Sequence, residues 1–304
     1  TRAAFFWPAF AGAIVEIAAI ALFVILIAAV LRAPGKPFPA NSAFVYSALG
    51  WFLIQALYET VFFLATGRAQ TLEALLHLVA GWQAGLRDVQ IHGFAMMMIL
   101  GVSHYIFHNL YGFPSPSRRK SLACAVALNL GIAGEAIGLH MMRAAGHRWA
   151  ALWIVSVLAI LIALAALYWN WHLFSSRRVA TDSPLQTADG IDVSSTEPRY
   201  PLDRSLKFFR AASVWLFLSF AMLLLLPVWQ FAVLPWLAPD SRAVAMGFSH
   251  AYYGAIRHAI TVGFISLMIL GVAARLVPMW AGLDPRRLSG LWIPFILINL
   301  GCAM

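Results

Sequence analysis

Charge is scarce in this chain. Asp, Glu, Lys and Arg make up 11% of its 304 residues, against roughly 25% in soluble domains. Cysteine is scarcer still: Cys124 and Cys302 are the two present, both inside apolar runs. That excludes a disulfide framework, a zinc-ligand spacing and a C-x-x-C-H haem-attachment motif, so any haem would be held by histidine without thioether links. Period-two alternation of apolar and polar residues is missing, which excludes a β-barrel. What is present is apolar: 62% of the chain is hydrophobic, in runs of about 20 residues, long enough to cross a bilayer as helices. The expected fold is an all-α polytopic transmembrane helical bundle of about eight spans.

The apolar segments lie near 4–32, 41–66, 89–113, 120–142, 149–174, 208–236, 246–280 and 288–304. The stretch 70–85 is too mixed to span and reads as an amphipathic helix lying at the interface. The one long polar stretch, 175–205, carries Asp182, Pro184, Asp189, Asp192 and Pro198 and reads as a solvated linker. The chain therefore divides into an N-terminal membrane part at 1–174, the linker at 175–205 and a C-terminal membrane part at 206–304. Thr1 is not a start residue and Met304 falls inside an apolar run, so the sequence is expected to be a piece of a longer protein.

The formal net charge is +9. Its basic residues sit in short loops between spans, where they report orientation rather than a nucleic-acid partner. One side collects Arg32, Lys36, Arg118, Arg119, Lys120, Arg177, Arg178, Arg199, Arg204, Lys207, Arg286 and Arg287. The other has Arg2, Arg68, Arg87, Arg143, Arg148 and Arg242. The richer side is expected to be cytoplasmic, with the linker on it and the N-terminus outside, in a bacterial inner membrane. Tryptophans near the span ends, such as Trp149, Trp236, Trp169 and Trp280, fit interfacial belts.

The chain also carries an internal repeat. Gly93-Phe94-Ala95-Met96-Met97-Met98-Ile99-Leu100-Gly101-Val102 is answered at an offset of 170 by Gly263-Phe264-Ile265-Ser266-Leu267-Met268-Ile269-Leu270-Gly271-Val272, with seven of ten positions identical. At the same offset Asn129-Leu130-Gly131 meets Asn299-Leu300-Gly301, and each copy has a dibasic pair before that helix, Arg118-Arg119 and Arg286-Arg287. The matched helices are spans three and seven, so the repeat is parallel, with the second copy truncated. Its glycines suit close helix approach.

The nine histidines then need an account. His92 and His258 precede the matched Gly-Phe blocks. At the repeat offset Asp88 aligns with His258 and Val262 with His92, yet four residues is about one helical turn, so the two histidines fall on similar faces. Together they are the first candidates for a metal or cofactor site near the outer surface, with His250 and His140 next. His104 and His108, one turn apart toward the inner side, either bind a metal or face a polar seam. His77, His147 and His172 read as wet-interface residues. Intramembrane carboxylates are costly and face bundle interiors. Glu59 and Glu135, in the histidine layer, would orient imidazoles, relay protons, pair with Arg257 or simply bond helices together; Glu16 is a third such residue. Arg257 either snorkels or pairs with a haem propionate.

The histidine leading into Gly-Phe, the Met-Ile-Leu-Gly block, the dibasic helix start ending in Asn-Leu-Gly, and Arg257-His258-Ala259-Ile260-Thr261-Val262-Gly263 with Ala274-Arg275 beyond it resemble the NnrS family. More distantly they resemble haem–copper oxidase core subunits. The resemblance covers roughly 88–143 and 246–304. It implies haem b and copper, a small gaseous ligand such as nitric oxide, and ligands at His92, His258, His250 and His140. Members typically have about twelve spans, and the H-x-H spacing that oxidases use between haems is not found here. The expected function is thus a haem- or copper-binding membrane protein of nitric oxide response or respiratory redox chemistry. The alternatives are a proton-coupled transporter and a cofactor-free scaffold subunit of a larger membrane complex.

Overall fold

The computed structural model describes residues 2–32, 39–111, 113–145, 147–174, 204–245, 249–283 and 290–304. All regular structure among them is helical. The apolar runs give α1 (Arg2–Leu31), α2 (Ala40–Gly67), α3 (Leu72–Asp88), α4 (Met97–Asn109), α5 (Arg118–Ala145) and α6 (Ala150–Trp171). After the linker come α7 (Leu206–Val228), α8 (Leu234–Leu237), α9 (Arg242–Ala245), α10 (His250–His258), α11 (Leu267–Trp280) and α12 (Trp292–Ala303). Seven helical runs are long and apolar enough to cross a membrane, and α12 is a shorter apolar helix of 12 residues. The protein is a multi-pass membrane protein. Most of the linker, with Arg177, Arg178 and Arg199, lies outside the described residues, as do Lys36, Arg286 and Arg287.

One element departs from the sequence reading. The mixed stretch expected to lie flat at the interface is α3, and it does not stop before the span. It runs through a π-helical stretch, Val89–Met96, into α4 without a break. The continuous run Leu72–Asn109 has 38 residues, about 57 Å at helical rise, longer than a hydrocarbon core. Its start is set by Thr71, whose Oγ1 accepts a hydrogen bond from the Ala74 amide at 3.1 Å, with Glu73 in the first turn to suit the helix dipole. The helix packs on α2 and α5 at its end, where Ala84, Gly85, Leu86 and Asp88 are buried, while the polar residues before them, Glu73, His77 and Gln83, stay exposed.

The chain forms two compact units. Unit 1 comprises residues 1–104 and 116–170, and unit 2 comprises 105–115 and 171–304. The segment Tyr105–Ser115 precedes the linker but belongs with unit 2. There Phe107 packs edge-on against Trp171 and Phe209, at 5.3 and 5.2 Å between ring centroids. Tyr111 shares a 2.5 Å hydrogen bond with Ser205, and Arg275 donates to the Leu110 carbonyl at 3.1 Å.

Within unit 1, α5 presents Gly131, Gly134 and Gly138 to α6. A Cβ at Gly138 would stand 2.9 Å from the backbone N and Cα of Trp153, and one at Gly131 would meet Ile160. Small residues let the two backbones approach, which is how helices gain packing where lipid supplies no hydrophobic drive. By contrast α1 is almost bare: 6% of its apolar window is buried, and Trp7, Val15, Ile25 and Val30 face outward, as does Glu16.

Both units contain the same small arrangement. In unit 1 the Trp51 indole donates to Asn129 Oδ1 at 2.8 Å, and Gly93 lies so close that a Cβ there would be 2.8 Å from Trp51 Cγ. In unit 2 the Trp215 indole donates to Asn299 Oδ1 at 2.8 Å, and a Cβ on Gly263 would be 2.5 Å from Trp215 Cγ. Each glycine sits in a π-helical stretch, Val89–Met96 in one unit and Ala259–Ser266 in the other.

Candidate metal centre

Asp88 ends α3 immediately before the π-helical stretch of unit 1, which carries His92. Such wide turns are rare and concentrate at functional sites. Opposite them α5 supplies Glu135. All three side chains are buried, with Glu135 fully so, and a ligand atom from each lies within 4.8 Å of the other two. His92 Nδ1 is 3.0 Å from Glu135 Oε2. Glu135 Oε1 has no hydrogen-bond partner among the described residues, and a buried acceptor in that condition costs on the order of 1–3 kcal/mol.

Charge makes the grouping more costly still. With both acids ionised and the imidazole neutral, two negative charges lie within a few ångströms inside a spanning helix bundle. A divalent cation held among them would balance both charges. The 3.0 Å between His92 Nδ1 and Glu135 Oε2 is a hydrogen-bond separation, and the ligand atoms of all three residues stand close enough to face one ion. One imidazole with two carboxylates is a donor set for a first-row divalent ion. It is poorly suited to Cu(I), which prefers sulfur ligands, and it is not the lone axial imidazole that haem iron asks for. The contact between Glu135 Oε2 and Nδ1 orients the ring and leaves Nε2 as the second ring nitrogen.

The other sequence candidates find different partners. Glu59 accepts from Gln90 Nε2 at 3.5 Å, not from an imidazole, and Gln90 accepts from Arg87 at 2.6 Å. His140 stands edge-on to Trp82 at 5.2 Å. His104 is buried and stacks on Phe44 at 6.0 Å, whereas His108 Nδ1 pairs with the Phe113 carbonyl at 3.0 Å. His258 belongs to unit 2, is exposed, and has Nε2 at 3.3 Å from the Gly301 carbonyl. His250 opens α10 and is exposed, as is His77 on α3. The Arg257 guanidinium lies over the Tyr253 ring at 4.4 Å. The side chain of His147 lies outside the described residues. Of the expected residues, then, His92 and Glu135 come together. Asp88 joins them unanticipated, although its position one turn before His92 is the signal that two ligands share a helix face.

A cleft of about 410 Å³ lies in the same unit. Trp51, Tyr58, Trp82, Ala133, Ile137 and His140 line it, together with Val89 and Ala136, chain neighbours of Asp88 and Glu135. Its walls are mostly apolar, so it suits a small uncharged molecule. Comparison with protein-family models, curated proteins and solved structures finds no match for this chain.

Proposed function

We propose that this multi-pass membrane protein binds a divalent first-row transition metal at Asp88, His92 and Glu135, and that the centre serves redox or ligand-binding chemistry with a small uncharged molecule. The observation that carries the reading is the buried imidazole–carboxylate pair with Asp88 beside it and one carboxylate oxygen lacking a hydrogen-bond partner among the described residues. A bound cation would take that oxygen and balance the two acids together. The apolar cleft beside the centre suits a ligand such as nitric oxide, which partitions into bilayers without a carrier. The sequence resemblance to the NnrS family supports the same gas. It adds the expectation of haem b and copper, and haem b would require a ligand arrangement other than this cluster.

Metal analysis of detergent-purified protein tests the reading. The wild type is expected to carry about one transition-metal ion per chain. His92→Ala and Asp88→Asn should reduce that at least tenfold, in line with the loss of a ligand, and His77→Ala should leave it unchanged. Wild-type protein without metal after growth and refolding with Mn, Fe, Zn and Cu would overturn it. An absorption spectrum of the same sample decides on haem b: a Soret band that persists in His92→Ala places a haem elsewhere.

Proton-coupled transport is the second reading. It is favoured by the polar chain Arg87–Gln90–Glu59, which begins one residue from Asp88 and ends on a carboxylate of α2. Proton flux in liposomes by a metal-free protein, abolished by Glu135→Gln, would select it.

A further inference from the structure

We infer that unit 2 carries a binding site for the headgroup of an anionic phospholipid, where α7 begins. Arg204 lies two residues before α7, and Lys207 and Arg210, spaced by three, neighbour one another in its first turns. With Trp292, Phe295 and Val214 they line a cavity of about 710 Å³. Among the described residues the lining holds no carboxylate. The Lys207 ammonium lies 3.8 Å from the centre of the Trp292 ring and 5.2 Å from that of Phe295, and it donates to the Gly290 carbonyl. Arg210 is anchored by donating from Nε to the Leu173 carbonyl at 3.2 Å. Lys207 and Arg210 are thus held in place before any ligand arrives, which lowers the ordering cost of binding.

The two ends of the cavity differ in chemistry, and that difference identifies the occupant. The basic end sits at the start of a 32-residue apolar run, Leu206–Leu237, at the depth of lipid headgroups. The amino end of α7 adds the partial positive charge of a 23-residue helix. Val214, one turn deeper than Arg210, is exposed, and so are Trp292 and Ile296 on α12. A soluble anion would use the cations and leave that apolar wall uncovered. A phospholipid with a net negative headgroup uses both: phosphate against Arg204, Lys207 and Arg210, and acyl chain along Val214 and Phe295. Basic pockets between spans are known places for such headgroups. This site owes nothing to the metal centre of unit 1, and either can fail without the other.

The test uses the whole chain in nanodiscs of phosphatidylcholine with one-quarter phosphatidylglycerol, followed by detergent extraction and mass spectrometry of the retained lipid. The wild type is expected to retain phosphatidylglycerol above its share of the bilayer and to gain thermal stability when that lipid is added to protein in detergent. Inorganic phosphate at millimolar concentration should produce no such gain. Each cation removed should weaken retention on the order of fivefold, from about 1 kcal/mol per basic residue at a membrane surface. R204Q/K207Q/R210Q should therefore abolish enrichment, and R118Q/R119Q/K120Q, with the same loss of charge in unit 1, should not. Because the triple variant tests folding as well as binding, Lys207→Gln alone provides the second measurement. Equal enrichment in Lys207→Gln and wild type, an equal loss in the unit 1 control, or a stability gain matched by inorganic phosphate would each overturn the proposal.

Discussion

Trp51 and Trp215 each spend their single indole N–H on an asparagine of another helix, and each lies flat against a glycine that no larger residue could replace without displacing the ring. Each asparagine amide in turn donates to its own helix, Asn129 Nδ2 to the Ala125 carbonyl and Asn299 Nδ2 to that of Phe295, both at 2.7 Å, and Asn129 Nδ2 also donates to Ser47 Oγ on α2 at 2.8 Å. Trp51→Phe keeps the ring contact and removes the bond, leaving Asn129 Oδ1 without its donor. It should cost about 1 kcal/mol, read as a lower unfolding temperature in detergent with metal content unchanged. At this scale the sequence was informative where ionisable groups stood in apolar runs, as at His92 and Glu135. Asp88 was missed because it falls between the mixed stretch 70–85 and the apolar segment that begins at 89, and so belonged to neither. The histidines that did not join the centre were decided by neighbours distant in sequence. The Gly301 carbonyl beside His258, the Phe44 ring beside His104 and the Trp82 ring beside His140 have no signature in the residues flanking each histidine.

Among the elements, helix positions were legible because each follows from an apolar run with polar punctuation. The wide turns were not, since one extra residue per turn leaves no mark in hydropathy. The α5–α6 contact offers a direct measure of how tightly elements fit. Gly138→Ala would place a methyl 2.9 Å from the Trp153 backbone, and a backbone atom has no rotamer with which to withdraw. We expect a loss of about 1–3 kcal/mol, measured by thermal unfolding in detergent. Gly50→Ala in α2, where no atom lies within 4 Å of the added Cβ, should be neutral or slightly stabilising, since alanine favours helix.

For the whole molecule, the important fact is that the two units are not two halves of the sequence. Tyr105–Ser115 leaves α4 to pack in unit 2 through Phe107, Tyr111 and Leu110. A cut in the linker therefore does not separate the units cleanly. Residues 1–174 expressed alone should expose Phe107 and Tyr111 and aggregate. Co-expressed with residues 175–304, they should yield a pair that copurifies through detergent extraction. Soluble, monodisperse protein from 1–174 alone would contradict this account. The composition made the membrane class plain, and the linker marked a division of the sequence; the exchange of a short segment across it depends on aromatic packing between residues about 60 to 100 positions apart.

The two π-helical stretches have one more consequence. Each holds a residue beyond what ordinary helical pitch requires, so the loss of one residue there is absorbed by tightening, with the backbone unbroken. Because a wide turn fits its extra residue into nearly the same rotation, the parts of the helix on either side then keep nearly the same facing. Asp88 and the turns before it are, in effect, mounted on a length of slack. Drift in chain length by one residue at 89–96 or 259–266 is taken up there, so what faces Glu135 from the turns before the stretch stays in place while the bundle stays whole.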